Sequence, residues 1–425
     1  MRDVLAIIYA GGEAETLLTL SRVRAKASVP IAGNYRLIDF ALSNCAHSGI
    51  NHVAVLTQYL PLSLKAHIGV GRPWDLDRRE GGVRLLEPYS AGGEHRWYAG
   101  TADALAENLE VIDDAHFDHV LVLPGEHVYK MDYRPLLDFH RVAHADITLV
   151  IKGFPPEKAR PYGAVQLGRG NVVLGFDPQA ARPLSPYASL GIYVFDRRFL
   201  VGQLREAQAR GAPDIVSGLV APRVADASVY AYLYYDYWAT IDTVDDYYDV
   251  TFELSQEGAP LLLDDPVWPV FTTQRDDPPV KVGPAAVVEN SLVANGSIIN
   301  GRVVDSVLFR RVYVEAGAVV AGAVLMDGTR VAPGATVERA IVDKQVRVES
   351  GARLGADVGE PAANADFPAQ LSRGISLVGK GAVIPAAFTV GRNCLIDIDA
   401  NARVFARFAE GRMPNGTSAV MPIKH

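Results

Sequence analysis

VEAGAVVAGAVLMDGTRVAPGATVERAIVDKQVRVESGARL, residues 314–354, is the stretch whose periodicity decides the architecture. Val314, Val320 and Met326 recur every six positions, as do Val331 and Val337, and Val348 and Leu354. Gly317, Gly334 and Gly351 fall 17 residues apart, each followed by Ala or preceded by one. Neither a helix nor an alternating strand repeats at that interval. Six residues per flat side and three sides give a coil of about 18 residues, the hexapeptide β-helix. The spacing extends upstream through Leu292, Ile298 and Val304, and downstream through Val378, Ile384, Val390 and Ile396. Residues 280–425 therefore read as one β-helix domain, with MPNGTSAVMPIKH (413–425) as a loose tail.

Before this domain, residues 256–279 carry Gly258, Pro260, Pro266, Pro269, Pro278 and Pro279 and read as a linker. Residues 1–255 alternate short apolar runs with helical spacing, an α/β pattern. Strands are expected over 5–9, 52–57, 119–123, 147–151 and 191–195. Helices are expected over 37–48, 60–68, 101–113 (opened by a Thr cap) and about 134–145. The strands are continuous apolar runs, as in a parallel sheet covered on both faces.

Composition narrows the function. The 425 residues carry a net charge of −8, which offers no field for nucleic acid or an anionic membrane. Cys45 and Cys394, the only cysteines, form neither a disulfide framework nor a zinc motif. No apolar run approaches the ~20 residues of a membrane helix, and no signal segment opens the chain. The expected location is cytoplasmic.

The first strand runs into Ala10-Gly11-Gly12, the usual opening of a loop that wraps phosphate. Glu13, Ala14, Glu15 and Thr16 follow, two carboxylates where an anion would arrive.

Further stretches carry a family likeness: RAKASVPIAGNYRLIDFALSNCAHSGI (24–50), VLTQY (55–59), WYAGTADALAENL (97–109), LPGEHVYKMDY (123–133), YGAV (162–165), SLGIYVF (189–195) and SVLFRRVYV (306–314). Together they resemble the ADP-glucose pyrophosphorylase family, the glucose-1-phosphate adenylyltransferases of glycogen and starch synthesis. The resemblance implies a Rossmann-like α/β nucleotidyltransferase domain followed by a left-handed parallel β-helix. It implies a reaction of ATP with glucose 1-phosphate to give ADP-glucose and pyrophosphate, with Mg²⁺ as cofactor if the chain is active and none otherwise. Such a site needs cations for two polyanions and carboxylates for the metal.

Transferred onto this sequence, the family pattern is only partly met. Gly11 and Gly12 keep the phosphate loop, but Thr16 stands where the family has arginine. Lys26 matches the lysine of the family's RAKPAVP motif. Glu126 replaces the aspartate of GDH, and Thr240 replaces the second metal aspartate. Asp242 is the nearest substitute, although side chains two apart along a strand sit about 6–7 Å from each other. Gln179 replaces the lysine for the sugar phosphate, and Arg182 is the nearest alternative cation. Gly100, Thr101 and Asp103 match the nucleotide segment. Tyr98, Gly163 and Ser189 match the glucose 1-phosphate site. Arg24, Arg36, Arg310 and Arg311 match the basic positions of an effector site between the domains.

Losing several charge-stabilising groups, each worth about 3–4 kcal/mol of barrier, leaves little turnover. The likeness therefore points to a weakly active or inactive, regulatory subunit of a tetramer. Its expected partners are a catalytic homologue in a hetero-tetramer, or further copies in a homo-tetramer, with ATP, glucose 1-phosphate or a sugar-phosphate effector as small ligands. An active enzyme with rearranged ligands, and a non-catalytic sugar-phosphate or nucleotide sensor, are the alternatives.

Overall fold

The computed structural model describes residues 1–12, 14–88, 97–155, 162–178 and 185–421. Val4–Tyr9 pairs in parallel with His52–Leu56 on one side and His119–Pro124 on the other, and His52–Leu56 pairs in parallel with Gly82–Leu86. All but the strand ends are buried, as their continuous apolar runs require. The expectation of a parallel sheet holds for this part and for Val229–Leu233, which pairs in parallel with Ile147–Gly153. Tyr187–Asp196 runs antiparallel to both His119–Pro124 and Ile147–Gly153, so the nine-stranded sheet is mixed. Gly191, at φ +71°, sits where the pairing of that long strand shifts register.

The single helix expected over 101–113 is two, Thr101–Glu107 and Leu109–Ile112. Asn108 leaves the helical conformation and donates its side-chain amide to the Ala104 carbonyl and the Tyr98 hydroxyl. Thr101 is no cap. Gly100 takes that place, and the Thr101 hydroxyl accepts from the Ile215 N–H.

The second domain winds three parallel sheets into a β-helix, consistent with the left-handed hexapeptide type. The inward residues are Val314, Val320, Leu325, Val331, Val337, Val342, Val348 and Leu354, all buried in one core. Their spacings of six, five and six explain the 17-residue recurrence of the glycines. The strict six-residue row is therefore corrected at the short side. Leu325 points inward, and Met326 points outward into the cluster shared with the α/β domain. The first coil is likewise off by one: Ile299 and Val303 are buried, whereas Ile298 is exposed and Leu292 packs outward. The tail is corrected too. Arg412–Met413 and Ser418–Ala419 pair with Thr389–Val390 and Leu395–Ile396, extending the helix by part of another coil.

The two domains share a cluster that includes Leu17, Phe40, Tyr247, Phe309, Met326 and Ile341. Residues 355–375 leave the coil between Leu354 and Ser376 and return against the α/β domain. There Leu371 and Ile375 are buried, and Arg373 meets Asp249 at 2.7 Å. The proline-rich stretch 256–279 packs back on the helix Ile38–His47: Trp268 Nε1 donates to Asn44, and Phe271 stacks on His47 at 4.7 Å. Among the described residues, no helix is long and apolar enough to cross a membrane.

Candidate active site

Ala10 to Gly12 cross the end of Val4–Tyr9, and the Ala10 N–H donates to the Leu56 carbonyl at 2.9 Å. A Cβ on Gly11 would lie 2.8 Å from the Gln58 nitrogen, and one on Gly125 would lie 2.6 Å from the Tyr9 carbonyl. Neither position has room for a side chain. The glycines thus let two loops close over the carboxyl ends of neighbouring parallel strands, where open α/β sheets take their ligands.

A cavity of about 410 Å³ opens there, bordered by Gly11, Gly12, Tyr98, Gly100, Thr101, Glu126 and His127, with Gln58, Gly191, Tyr193 and Asp214 completing its polar wall. Its described lining holds two carboxylates, Glu126 and Asp214, and neither Lys nor Arg. Tyr98 is anchored by Gln58, whose side-chain oxygen accepts from the Tyr98 N–H at 2.6 Å. Asp103 accepts from the Ala99 N–H at 2.8 Å and shapes this turn from outside the lining. Gly163 and Ser189 lie outside the lining as well. Gly163, at φ +78°, packs under Phe176, and the buried Ser189 hydroxyl contacts the Tyr193 hydroxyl at 3.2 Å.

Lys26 begins a short turn beneath this cavity and is buried. Its Nζ lies 3.0 Å from Glu126 Oε1 and 2.7 Å from Asp242 Oδ1. Burial opposes the ammonium charge, but the two carboxylates outweigh it and raise its pKa. Burial likewise opposes the Asp242 charge, and Lys26 outweighs it, so this carboxyl titrates below the usual range.

The convergence of Glu126 and Asp242 corrects the expectation from strand spacing. Trp238–Thr240 pairs antiparallel with His127–Tyr129, with Thr240 opposite His127. The strand ends there. Asp242 lies in the turn into the helix Val244–Glu253, held by the Asp246 carboxylate, which accepts from the Asp242 and Thr243 N–H groups in a capping box. The chain bends at the point where a continuing strand would have carried Asp242 away from Glu126.

The two threonines at expected ligand positions have other partners. Thr16 donates to the Asp242 backbone carbonyl, tying the glycine loop's exit to this turn. The Thr240 hydroxyl meets the Tyr162 hydroxyl at 2.8 Å. Glu15 is exposed, while Glu13, Gln179 and Arg182 lie outside the described residues.

His127 was not singled out from sequence. Its Nδ1 is buried without a hydrogen-bond partner among the described residues, and its ring stands edge-on to Trp238 at 5.0 Å. Burial, with the Lys26 charge adding to it, pushes its pKa down to about 3, so the imidazole facing the cavity is neutral. Its signal in the sequence was position alone, directly after Glu126 at a strand start.

The donor set suits a hard divalent cation. Mg²⁺ commonly takes one or two carboxylates, with water and phosphate oxygens completing the octahedron. Glu126 and Asp242 already share one cation, the Lys26 ammonium. Among the described residues, no three His, Cys, Asp or Glu side chains converge, so this pair is what the described residues would offer such an ion.

The four arginines expected at an effector site do not form one cluster. Arg36 and Arg310 line a cleft between the domains together with Arg275, Lys344, His67 and Asp327. Arg24 lies buried, ion-paired to Asp343, and Arg311 pairs with Asp277 at 2.5 Å. Burial, opposed by Asp327 and aided by Arg36 and Arg24, pushes Lys344 down to about 8. Burial also brings Arg36 down to about 10. Lys344 and Arg275 were missed because only the fold brings them to Arg36, on the other domain and far from both in the sequence.

A nucleotidyl transferase family model matches residues 5–257, and a GlmU-like C-terminal hexapeptide model matches residues 280–378. The glucose-1-phosphate adenylyltransferase of Thermomicrobium roseum is 42% identical over 402 residues, 93% of each chain. That of Pseudothermotoga lettingae is 39% identical over 401 residues, 94% of this chain and 95% of its own. That of Acetivibrio thermocellus is 36% identical over 399 residues, 93% of each. With both domains matched in the same order and relatives aligned over nearly their full length, the chain belongs to the glucose-1-phosphate adenylyltransferase family.

Proposed function

We propose that this chain is a subunit of an ADP-glucose-forming enzyme whose own turnover is weak or absent, and that it serves a tetramer as a regulatory partner. The reaction would join ATP and glucose 1-phosphate, releasing pyrophosphate. It requires cations where two polyanions meet. The observation that carries the reading is the cleft's described lining, which has two carboxylates and no Lys or Arg. Lys26, which touches the lining residue Glu126, is neutralised by Glu126 and Asp242. Thr16 and Thr240, at positions where the family resemblance implies arginine and aspartate, are engaged with Asp242 and Tyr162.

A second reading is an active enzyme with rearranged ligands. It is favoured by the convergence of Glu126 and Asp242 on one point. In it these two carboxylates would hold Mg²⁺, which would offset phosphate charge. Tyr98 and the Gly100–Thr101 turn would orient the nucleotide and sugar, and His127 would meet an uncharged hydroxyl.

Regulation would act at the inter-domain cleft. Arg36, Arg275, Arg310 and Lys344 face one another there with Asp327 as the carboxylate among the described lining. That excess of cations fits a phosphorylated effector such as a sugar phosphate.

The test is ADP-glucose formation by the purified chain with ATP, glucose 1-phosphate and Mg²⁺, alone and mixed with an active homologue from the same source. Absent or weak activity alone, with altered rate or effector response in the mixture, is expected. Robust activity alone overturns the reading in favour of the second one. No activity alone and no effect in the mixture moves the function to a non-catalytic sensor.

A further inference from the structure

We infer that Lys26 is an exchangeable counter-cation: its ammonium occupies the place between Glu126 and Asp242 until a divalent ion enters, and the exchange frees it for phosphate.

The geometry is one-sided. The Lys26 side chain is 7% exposed, whereas those of Glu126 and Asp242 are 29% and 49% exposed. The lysine reaches the pair from inside the protein, and the opposite side stays open to an ion from solvent. The backbone of Lys26 is fixed, because the Val29 N–H donates to the Lys26 carbonyl and the Ser28 N–H to Ala25, both at 2.9 Å. Only the flexible end of the side chain has to move.

Charge favours the exchange. One ammonium leaves one of two carboxylate charges uncompensated, and a divalent ion matches both. The displaced ammonium emerges beside the glycine loop, since a Cβ on Gly12 would lie 3.9 Å from Glu126 Oε2. That is where an incoming phosphate would meet the glycine loop at Gly11 and Gly12. Metal arrival and the supply of a cation for phosphate thus become one event. Without metal, the lysine is withheld.

The inference rests on Glu126 and Asp242 being metal ligands, and it is tested without turnover. Pulse acetylation with acetic anhydride, read by mass spectrometry on the full wild-type chain, reports Lys26 reactivity with and without Mg²⁺. Mn²⁺ binding, read by the electron spin resonance of free Mn²⁺, is measured on wild type, Lys26→Met and Asp242→Asn.

Lys26 is expected to acetylate several-fold faster with saturating Mg²⁺, while Lys65 and Lys380 serve as unchanged references. Lys26→Met should bind Mn²⁺ about tenfold tighter, as expected on removing one competing charge. Asp242→Asn should lose binding. Unchanged Lys26 acetylation while Mn²⁺ binds overturns the exchange. Binding that Asp242→Asn leaves intact, or no Mn²⁺ binding at all, overturns it at the level of the ligands. A chain that passes these tests yet forms no ADP-glucose leaves the exchange standing and counts only against turnover.

Discussion

Arg24 and Asp343 face each other across the domain junction, with one guanidinium nitrogen 2.9 and 3.0 Å from the two carboxylate oxygens and both side chains almost wholly buried. Asp343 Oδ1 also accepts from the Lys344 N–H at 2.7 Å, so the pair positions the first residue of the cationic cleft. Removing one buried charge strands the other. Arg24→Met should therefore cost about 3–5 kcal/mol of stability in chemical denaturation. Adding Asp343→Asn, which keeps the acceptor for the Lys344 N–H, should recover part of that loss. A single variant as stable as wild type would remove the pair from the junction's energetics.

Leu325 and Met326 are adjacent and both fully buried, but in different interiors. Leu325→Asp places a charge inside the coil and should prevent the β-helix from folding. Met326→Asp should leave the coil's circular dichroism intact and loosen the junction, seen as faster proteolysis within residues 256–279. Equal damage from both would contradict the six-five-six spacing.

The combined variant Thr16→Arg, Glu126→Asp, Gln179→Lys and Thr240→Asp restores the groups expected from the family pattern. If the cleft is degenerate for want of them, ADP-glucose formation should rise by about 10²-fold or more. Because Thr16 and Thr240 have structural partners in Asp242 and Tyr162, the variant's melting temperature should be measured alongside. A folded quadruple variant at background rate would mean that other groups limit the reaction.

Lys344 gives the inter-domain cleft a pH signature. Its pKa of about 8 in the folded chain lies below the ordinary 10.5, so between these values the unfolded chain binds the extra proton. Its contribution to stability therefore rises as pH rises from about 8 to 10.5, and Lys344→Met should flatten that rise. A bound phosphorylated anion would favour the charged ammonium. Effector binding near pH 8.5–9.5 should thus take up protons, measurable as a buffer-dependent calorimetric heat. Binding heats independent of buffer would exclude Lys344 from the anion site.

The parts of this molecule that follow from local pattern were legible in the sequence. The glycine loop after the first strand is a local feature, and so is the aliphatic recurrence of the β-helix. The slip at Met326 came from assuming equal sides, since a six-residue count cannot show that one side has five. The mixed sheet was hidden because a buried antiparallel strand such as Tyr187–Asp196 has the same apolar run as a parallel one. At the site, Asp242 was underrated because its position depends on where the strand stops and on a capping box formed by Thr243 and Asp246. Lys26 was recognised only by its match to the RAKPAVP motif. Its contacts with Glu126 and Asp242, 100 and 216 residues away, have no sequence signature.

The excursion of residues 355–375 has a consequence for how this chain can evolve. Solenoids commonly change length by duplicating or deleting a repeat, because each coil touches only its neighbours. Here the α/β domain contacts the helix at Gly322, Asp343, the excursion itself and Asp397, through Tyr248, Arg24, Asp249 and Arg22. A coil gained or lost between Gly322 and Leu354 would shift the later anchors by one strand spacing, about 4.8 Å, and break them. Growth is free only beyond the last anchor, so the chain's variation in length belongs at its C-terminal end.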